Sequence, residues 1–132
     1  MRIVTLGITG GTLIGVVVGY AALPDEIATH FNVRGEADAW GSKSSIIWLT
    51  AMFVAMVGGL TWLSHHPRVF NYPTEITEMN AQRLYRVGEQ MMVGVNVSLA
   101  IMFAGLVVSS FFDVNSSWFM VPAMVWMFVS II

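Results

Sequence analysis

The chain has 132 residues, of which 56% are hydrophobic and 11% charged, and its formal net charge is -2. That charged share is less than half the roughly 25% of soluble domains and too small to cover a soluble surface, so the composition points to one domain's length of chain in a lipid bilayer. A pI near 5.8 argues against a nucleic-acid binder, and the absence of cysteine excludes disulfides, thiol catalysis and cysteine-bound zinc.

Residues 3–23 run apolar without a charge. As a helix rising about 1.5 Å per residue, they cross the roughly 30 Å hydrocarbon core. The run outlasts a signal peptide's apolar region and only Arg2 precedes it, which predicts a retained first span. Gly7, Gly11, Gly15 and Gly19 recur every four residues, with Gly10 beside them, so a helix carries them on one stripe, a glycine zipper. Such a stripe lets another helix come close. Its partner is either the chain's own spans, with Gly58 and Gly59 as the natural counterpart, or an oligomer interface.

Next comes the one long polar segment that reads as a specified structure, residues 23–43. Pro24 stops the apolar run, and Gly35 and Gly41 offer turns. Asp25, Glu26, His30, Glu36 and Asp38 gather carboxylates around one histidine. No metal-binding spacing accompanies them, so no metal is expected.

Residues 46–63 form the second span, with Trp48 and Trp62 near its two ends, where tryptophan favours the membrane–water interface. Ser64-His65-His66-Pro67 ends it, and the paired histidines read as interfacial residues. Pro67, Asn71, Tyr72 and Pro73 keep the following connection irregular. Thr74 is a suitable N-cap, and no proline lies between Pro73 and Pro122. A helix is therefore expected to start near Glu75 and to run on through a third span at 91–112, projecting from the membrane. Asp113-Val114-Asn115-Ser116 reads as a tight turn. Residues 117–132 are a fourth apolar run, short for a span and kinked at Pro122. Either its end sits at the interface or the natural chain continues.

Arg2, Arg68, Arg83 and Arg86 outnumber Arg34 and Lys43. Both termini and the second connection are thus expected in the cytoplasm, with loop 23–43 outside a plasma membrane. The spans hold no Asp, Glu, Lys or Arg, which argues against a proton-coupled transporter. Asn96 is the most polar residue within them and is expected to make an interhelical hydrogen bond. Ten methionines read as packing material, and no cofactor is expected.

Two segments carry a resemblance. Leu23-Pro24-Asp25, Ile27, His30-Phe31-Asn32, Gly35, Asp38 and Gly41-Ser42-Lys43 resemble the extracytoplasmic loop of a bacterial and archaeal membrane-domain family of unknown function. That family includes the N-terminal part of the SdpI-type immunity proteins, which protect cells against a secreted killing factor. Asn71-Tyr72-Pro73, Glu75 and Asn80-Ala81-Gln82-Arg83-Leu84-Tyr85-Arg86 resemble the cytoplasmic segment that follows in many members. Together the likeness covers roughly residues 10–105, although this chain has no room for the immunity proteins' second membrane domain. The resemblance implies Pro24, Asp25, His30, Asn32, Gly35, Asp38, Gly41, Ser42 and Lys43 as the loop motif. Within it Asn32 and Asp38 are expected to bond the loop's own backbone, and Lys43 to anchor the second span.

The expected fold is all-α: an integral membrane four-helix bundle in a single domain, with an ordered extracytoplasmic loop between helices one and two. The expected function is non-enzymatic, either immunity to or sensing of a secreted toxin peptide, or an accessory subunit of a larger membrane complex. The expected partners are the bilayer, other subunits or a second copy, and a peptide toxin.

Overall fold

The computed structural model describes residues 1–112 and 114–131; Asp113 and Ile132, part of the expected turn and last span, lie outside the described residues. Four helices occur among them: α1 Arg2–Gly19, α2 Ser45–Ser64, α3 Ala81–Phe112 and α4 Ser117–Ile131. Two strands, β1 Glu26–Phe31 and β2 Ala37–Ser42, form an antiparallel hairpin between α1 and α2. The all-α expectation is thereby corrected to a mostly helical fold with a small sheet.

Three helices are long and apolar enough to cross a membrane: α1 with its 3₁₀ extension Tyr20–Ala22, α2 and α3. The fourth, α4, has 15 residues. Three of the four expected spans thus fall on helices long and apolar enough to cross, and the fourth falls on α4, a shorter apolar helix among the described residues. Pro122 lies inside α4, which continues past it.

The start of α3 also moves, from the expected Glu75 to Ala81. Asn80 is the cause. Its Oδ1 accepts the Thr77 N–H at 2.8 Å and its Nδ2 donates to Glu75 O at 3.0 Å. Those bonds fold the residues before it into a turn, and an asparagine in that position opens a helix rather than continuing one. With 32 residues, α3 is about 48 Å long, more than a bilayer core needs.

The bundle is built around α3. Half of its most apolar window is buried, against 17% for α1 and for α2, and α1, α2 and α4 each pack on it. Phe103 and Ile46 are fully buried in the core with Val16, Leu23, Ile27 and Val107. Phe53 stacks on Phe103 at 4.8 Å between centroids.

The glycines distribute against expectation. A Cβ at Gly7, Gly10, Gly11, Gly15, Gly58 or Gly59 would meet open space, so the stripe does not pack on Gly58 and Gly59. The reason is rotational: α1 turns Thr5, Thr9 and Val16 inward, which leaves the glycines outside. Gly19 alone of the stripe is covered, by the Phe111 ring. The close helix contact forms instead at Gly94, against Ser130, and at Gly105, against Phe119. Eleven residues separate these two on α3, about three turns, so both face α4.

The two ends of the bundle are distinct. At one end Arg2 pairs with Glu89 and donates to Ser64 O at 3.4 Å, tying the start of α1 to α2 and α3. At the opposite end the hairpin meets the turn that leads into α4 through Ser116 N–H to Gly35 O, 3.2 Å.

Candidate functional site

The hairpin turn follows from Asn32 and Gly35. Gly35 N–H donates to Asn32 O at 2.9 Å, and Asn32 N–H donates to Glu36 O at 2.9 Å. Asn32 Oδ1 accepts the N–H groups of Arg34 at 2.8 Å and Glu36 at 3.1 Å. An asparagine that bonds the backbone two residues on, followed by a glycine in the left-handed region, is a standard way to join two strands. Gly35 has φ +77°, which a side chain tolerates poorly.

Four attachments then fix the hairpin to the bundle. Ile27 and Ala28 are buried in its end. Ala28 O accepts from Ser110 Oγ at 3.2 Å, which ties β1 to α3. Gly35 O accepts from both Ser116 N–H and Ser116 Oγ, the latter at 3.3 Å. Arg34 O accepts from Asn115 Nδ2 at 3.3 Å. Asn115 also accepts the Ser117 N–H at 2.8 Å, so one side chain opens α4 and clasps the turn. Ser110, Asn115 and Ser116 were missed as site residues in the sequence. The one available signal was Asn115 directly before an apolar helix, a capping position.

The other face of the hairpin is open. His30 Nδ1–H donates to Asp38 Oδ1 at 2.5 Å across the two strands, and both side chains are exposed. Asp38 therefore bonds a neighbouring side chain rather than the loop backbone, a correction that follows from strand pairing, which brings β1 and β2 side chains together. The ladder is irregular between Ala28 and His30 and again between His30 and Phe31, and such bulges re-aim side chains. Gly41 makes no turn. It pairs with Ile27 inside β2, and a Cβ there would press on Thr29 Cγ2 at 3.1 Å.

Lys43 stands where the second span begins. Its Nζ lies 3.3 Å from Asp25 Oδ1 and 5.8 Å from the Tyr20 ring centre, and its N–H donates to Asp25 O at 2.9 Å. Pro24 is exposed at the entry to β1. Ser42 Oγ accepts the Ser44 N–H at 3.2 Å just before α2. The structure thus brings His30, Asn32, Gly35, Asp38, Gly41 and Ser42 into one hairpin, with Pro24, Asp25 and Lys43 at its base.

Beside β2 lies a groove of about 450 Å³ lined by Thr29, Trp40, Gly41, Trp48, Leu49 and Met52. Trp40 and Trp48 are 58% and 77% exposed, so their rings stand free at its rim. β1 packs on α3, whereas β2 packs substantially only on β1. Among the described residues no three His, Asp or Glu side chains converge as a metal site would require.

The opposite end holds a second ordered cluster. Tyr72 Oη donates to Pro67 O at 2.9 Å, its ring lies 5.9 Å from that of Tyr85, and its hydroxyl stands with the Phe70 ring over Gly88. Burial, and then the neighbouring Tyr85, raise the Tyr72 pKa above its ordinary value. His65 and His66 each donate from Nδ1 to a carbonyl one turn back, Thr61 O at 2.7 Å and Trp62 O at 2.8 Å. Both are engaged in closing the end of α2.

No curated protein and no solved structure matches the chain. The match that does exist begins within the glycine stripe and runs through the whole hairpin into α2, leaving α3 and α4 outside it. Residues 7–54 are similar to the family described as a domain of unknown function (DUF1648).

Proposed function

We propose that the protein is a non-enzymatic, multi-pass protein of the plasma membrane that receives a secreted peptide on its outer hairpin, as the SdpI-type immunity proteins would lead one to expect. The observation that carries this reading is the contrast between the hairpin's two sides. One is clamped to α3 and to the entry of α4, while the other presents a strand with one free edge beside a tryptophan-lined groove. A free edge offers backbone N–H and C=O groups to an extended peptide, and an apolar groove beside it takes the peptide's side chains. Both termini lie in the cytoplasm on this reading, in keeping with the arginine bias.

The experiment is a challenge of cells expressing the chain with a secreted peptide toxin to which the parent strain is sensitive. Trp40→Ala and His30→Ala are expected to abolish protection while the protein stays in the membrane at unchanged amount. Protection equal to that of the parent chain would remove this reading.

A second reading, an accessory subunit, is favoured by a different observation. Gly7, Gly11 and Gly15 line an open apolar groove of about 520 Å³ with Ala104, Val108 and Phe112. A transmembrane helix of another subunit or copy would fit there, since small residues admit close backbone approach. Gly11→Leu is expected to reduce the mass of the particle extracted in mild detergent, and an unchanged mass sinks this alternative.

A further inference from the structure

Besides Arg2, the end of the bundle that holds Glu89 carries three arginines: Arg68, Arg83 and Arg86. All three are exposed, and among the described residues none lies within ion-pair distance of a carboxylate. Two of them share a stripe. On α3, Gln82, Arg83, Arg86, Glu89, Gln90 and Val93 recur at spacings of three and four residues, which puts them on one face of the helix.

Two adjoining hollows lie along that face. The outer, of about 210 Å³, is lined by Gln82, Arg83 and Arg86. The inner, of about 420 Å³, is lined by Arg86, Glu89, Gln90 and Val93, together with Met1 just before α1. Arg86 belongs to both, so cationic groups stand at one end of a continuous depression and the apolar Val93 at the other. Glu89 is the one carboxylate in the lining, and Arg2 offsets its charge.

The Arg2–Glu89 pair also fixes where this depression meets the bilayer. The uncharged run of α1 begins at Ile3, directly after Arg2, so the hydrocarbon core begins close to the level of Glu89. Arg86 then stands about 4.5 Å outside the core and Arg83 about 9 Å outside it, while Val93 lies about 6 Å within. The headgroup region is about 5–8 Å deep on each side of the core, so the two guanidinium groups sit at the depth of lipid phosphates. An arginine's planar fork of donors matches phosphate oxygens two at a time.

We propose that this stripe of α3 binds one anionic phospholipid. Arg83 and Arg86 hold its phosphate, the carboxamide of Gln90 meets its ester oxygens, and the start of an acyl chain runs along Val93 beside Met1. Charge complementarity selects the ligand: the depression offers two unpaired cations, and a zwitterionic lipid would bring a third cation to them, whereas a lipid of net negative charge brings none. The apolar inner hollow selects a lipid over free phosphate, which would leave that hollow unfilled. The site lies at the opposite end of the bundle from the hairpin and is independent of what the hairpin binds.

The test is native mass spectrometry of the full chain released from vesicles of equimolar phosphatidylcholine and phosphatidylglycerol with matched acyl chains. The chain is expected to carry phosphatidylglycerol in preference, and Arg83→Gln and Arg86→Gln are each expected to lower that preference about fivefold. Arg68→Gln removes an exposed arginine at the same end that lines neither hollow, and it is expected to keep the preference. Glycerol phosphate in excess, which has the charge and no acyl chain, is expected to leave the lipid bound. The proposal is overturned if the chain carries the two lipids equally, or if Arg83→Gln and Arg86→Gln leave the preference intact. It is equally overturned if Arg68→Gln lowers the preference as much as they do, or if glycerol phosphate displaces the lipid.

Discussion

A side chain at position 35 would enter space already held by Asn115 Oδ1 and the Ser117 N–H, and it would do so at φ +77°. Gly35→Ala is expected to cost about 1–3 kcal/mol from backbone strain alone, before the clasp by Asn115 is lost. The check is a lower unfolding midpoint in detergent together with early proteolysis of the hairpin. Val33→Ala, at a position 99% exposed, serves as the neutral control. Tyr72 gives a second test at this scale. Its phenol is neutral in the fold and its pKa is raised by burial, so the folded chain holds that proton where the unfolded chain releases it. The associated stability is complete below the ordinary tyrosine pKa of about 10 and is lost as pH rises through the higher folded value. The unfolding midpoint is expected to fall more steeply above pH about 10 in the parent than in Tyr72→Phe, and parallel curves would refute this.

At the scale of elements, glycine spacing and glycine use part company. The four-residue repeat on α1 is the more conspicuous pattern, yet the close contact within the chain runs through Gly94 and Gly105 on α3. Gly94→Val and Gly105→Val would drive a side chain into Ser130 and Phe119, and overpacking of this kind costs about 1–3 kcal/mol. Both are expected to lower the unfolding midpoint and to free α4 for proteolysis. Gly11→Ala faces open space and is expected to keep the parent's midpoint, since alanine suits a helix better than glycine. A Gly11→Ala chain that unfolds as readily as Gly105→Val would contradict this packing. The same two glycines explain how α4 is seated on α3. Ala123 is fully buried there.

For the whole molecule, the consequential property is that two sets of polar attachments lie at opposite ends. Arg2, Ser64 and Glu89 meet at one, while Ala28, Gly35 and Ser116 meet near the other. Met79 and Val33 are 98% and 99% exposed and mark the two ends. In sealed vesicles, Met79→Cys and Val33→Cys are expected to react with a membrane-impermeant thiol reagent from opposite sides. Reaction of both from the same side would show that the bundle does not cross the bilayer as drawn.

Much of this architecture was legible in the residues because the bilayer asks a one-dimensional question. Long uncharged runs answer it wherever they occur, and so the three long helices, the interruption at Pro24 and the turn at Gly35 could be read directly. The interhelical bond of Asn96, whose Nδ2 donates to Thr61 Oγ1 at 2.8 Å, could be read too, since a carboxamide in an apolar run has few other partners. What the sequence could not decide is how each helix is rotated. A run that is apolar on all sides carries little contrast between its inner and outer faces, so whether Gly11 or Thr9 looked inward was open until α1 met α3. Asn80's capture of Thr77 and Glu75, the pairing of His30 with Asp38, and the grip of Asn115 on Arg34 are likewise tertiary or turn-level choices. Each depends on a distance between residues that composition and spacing do not contain.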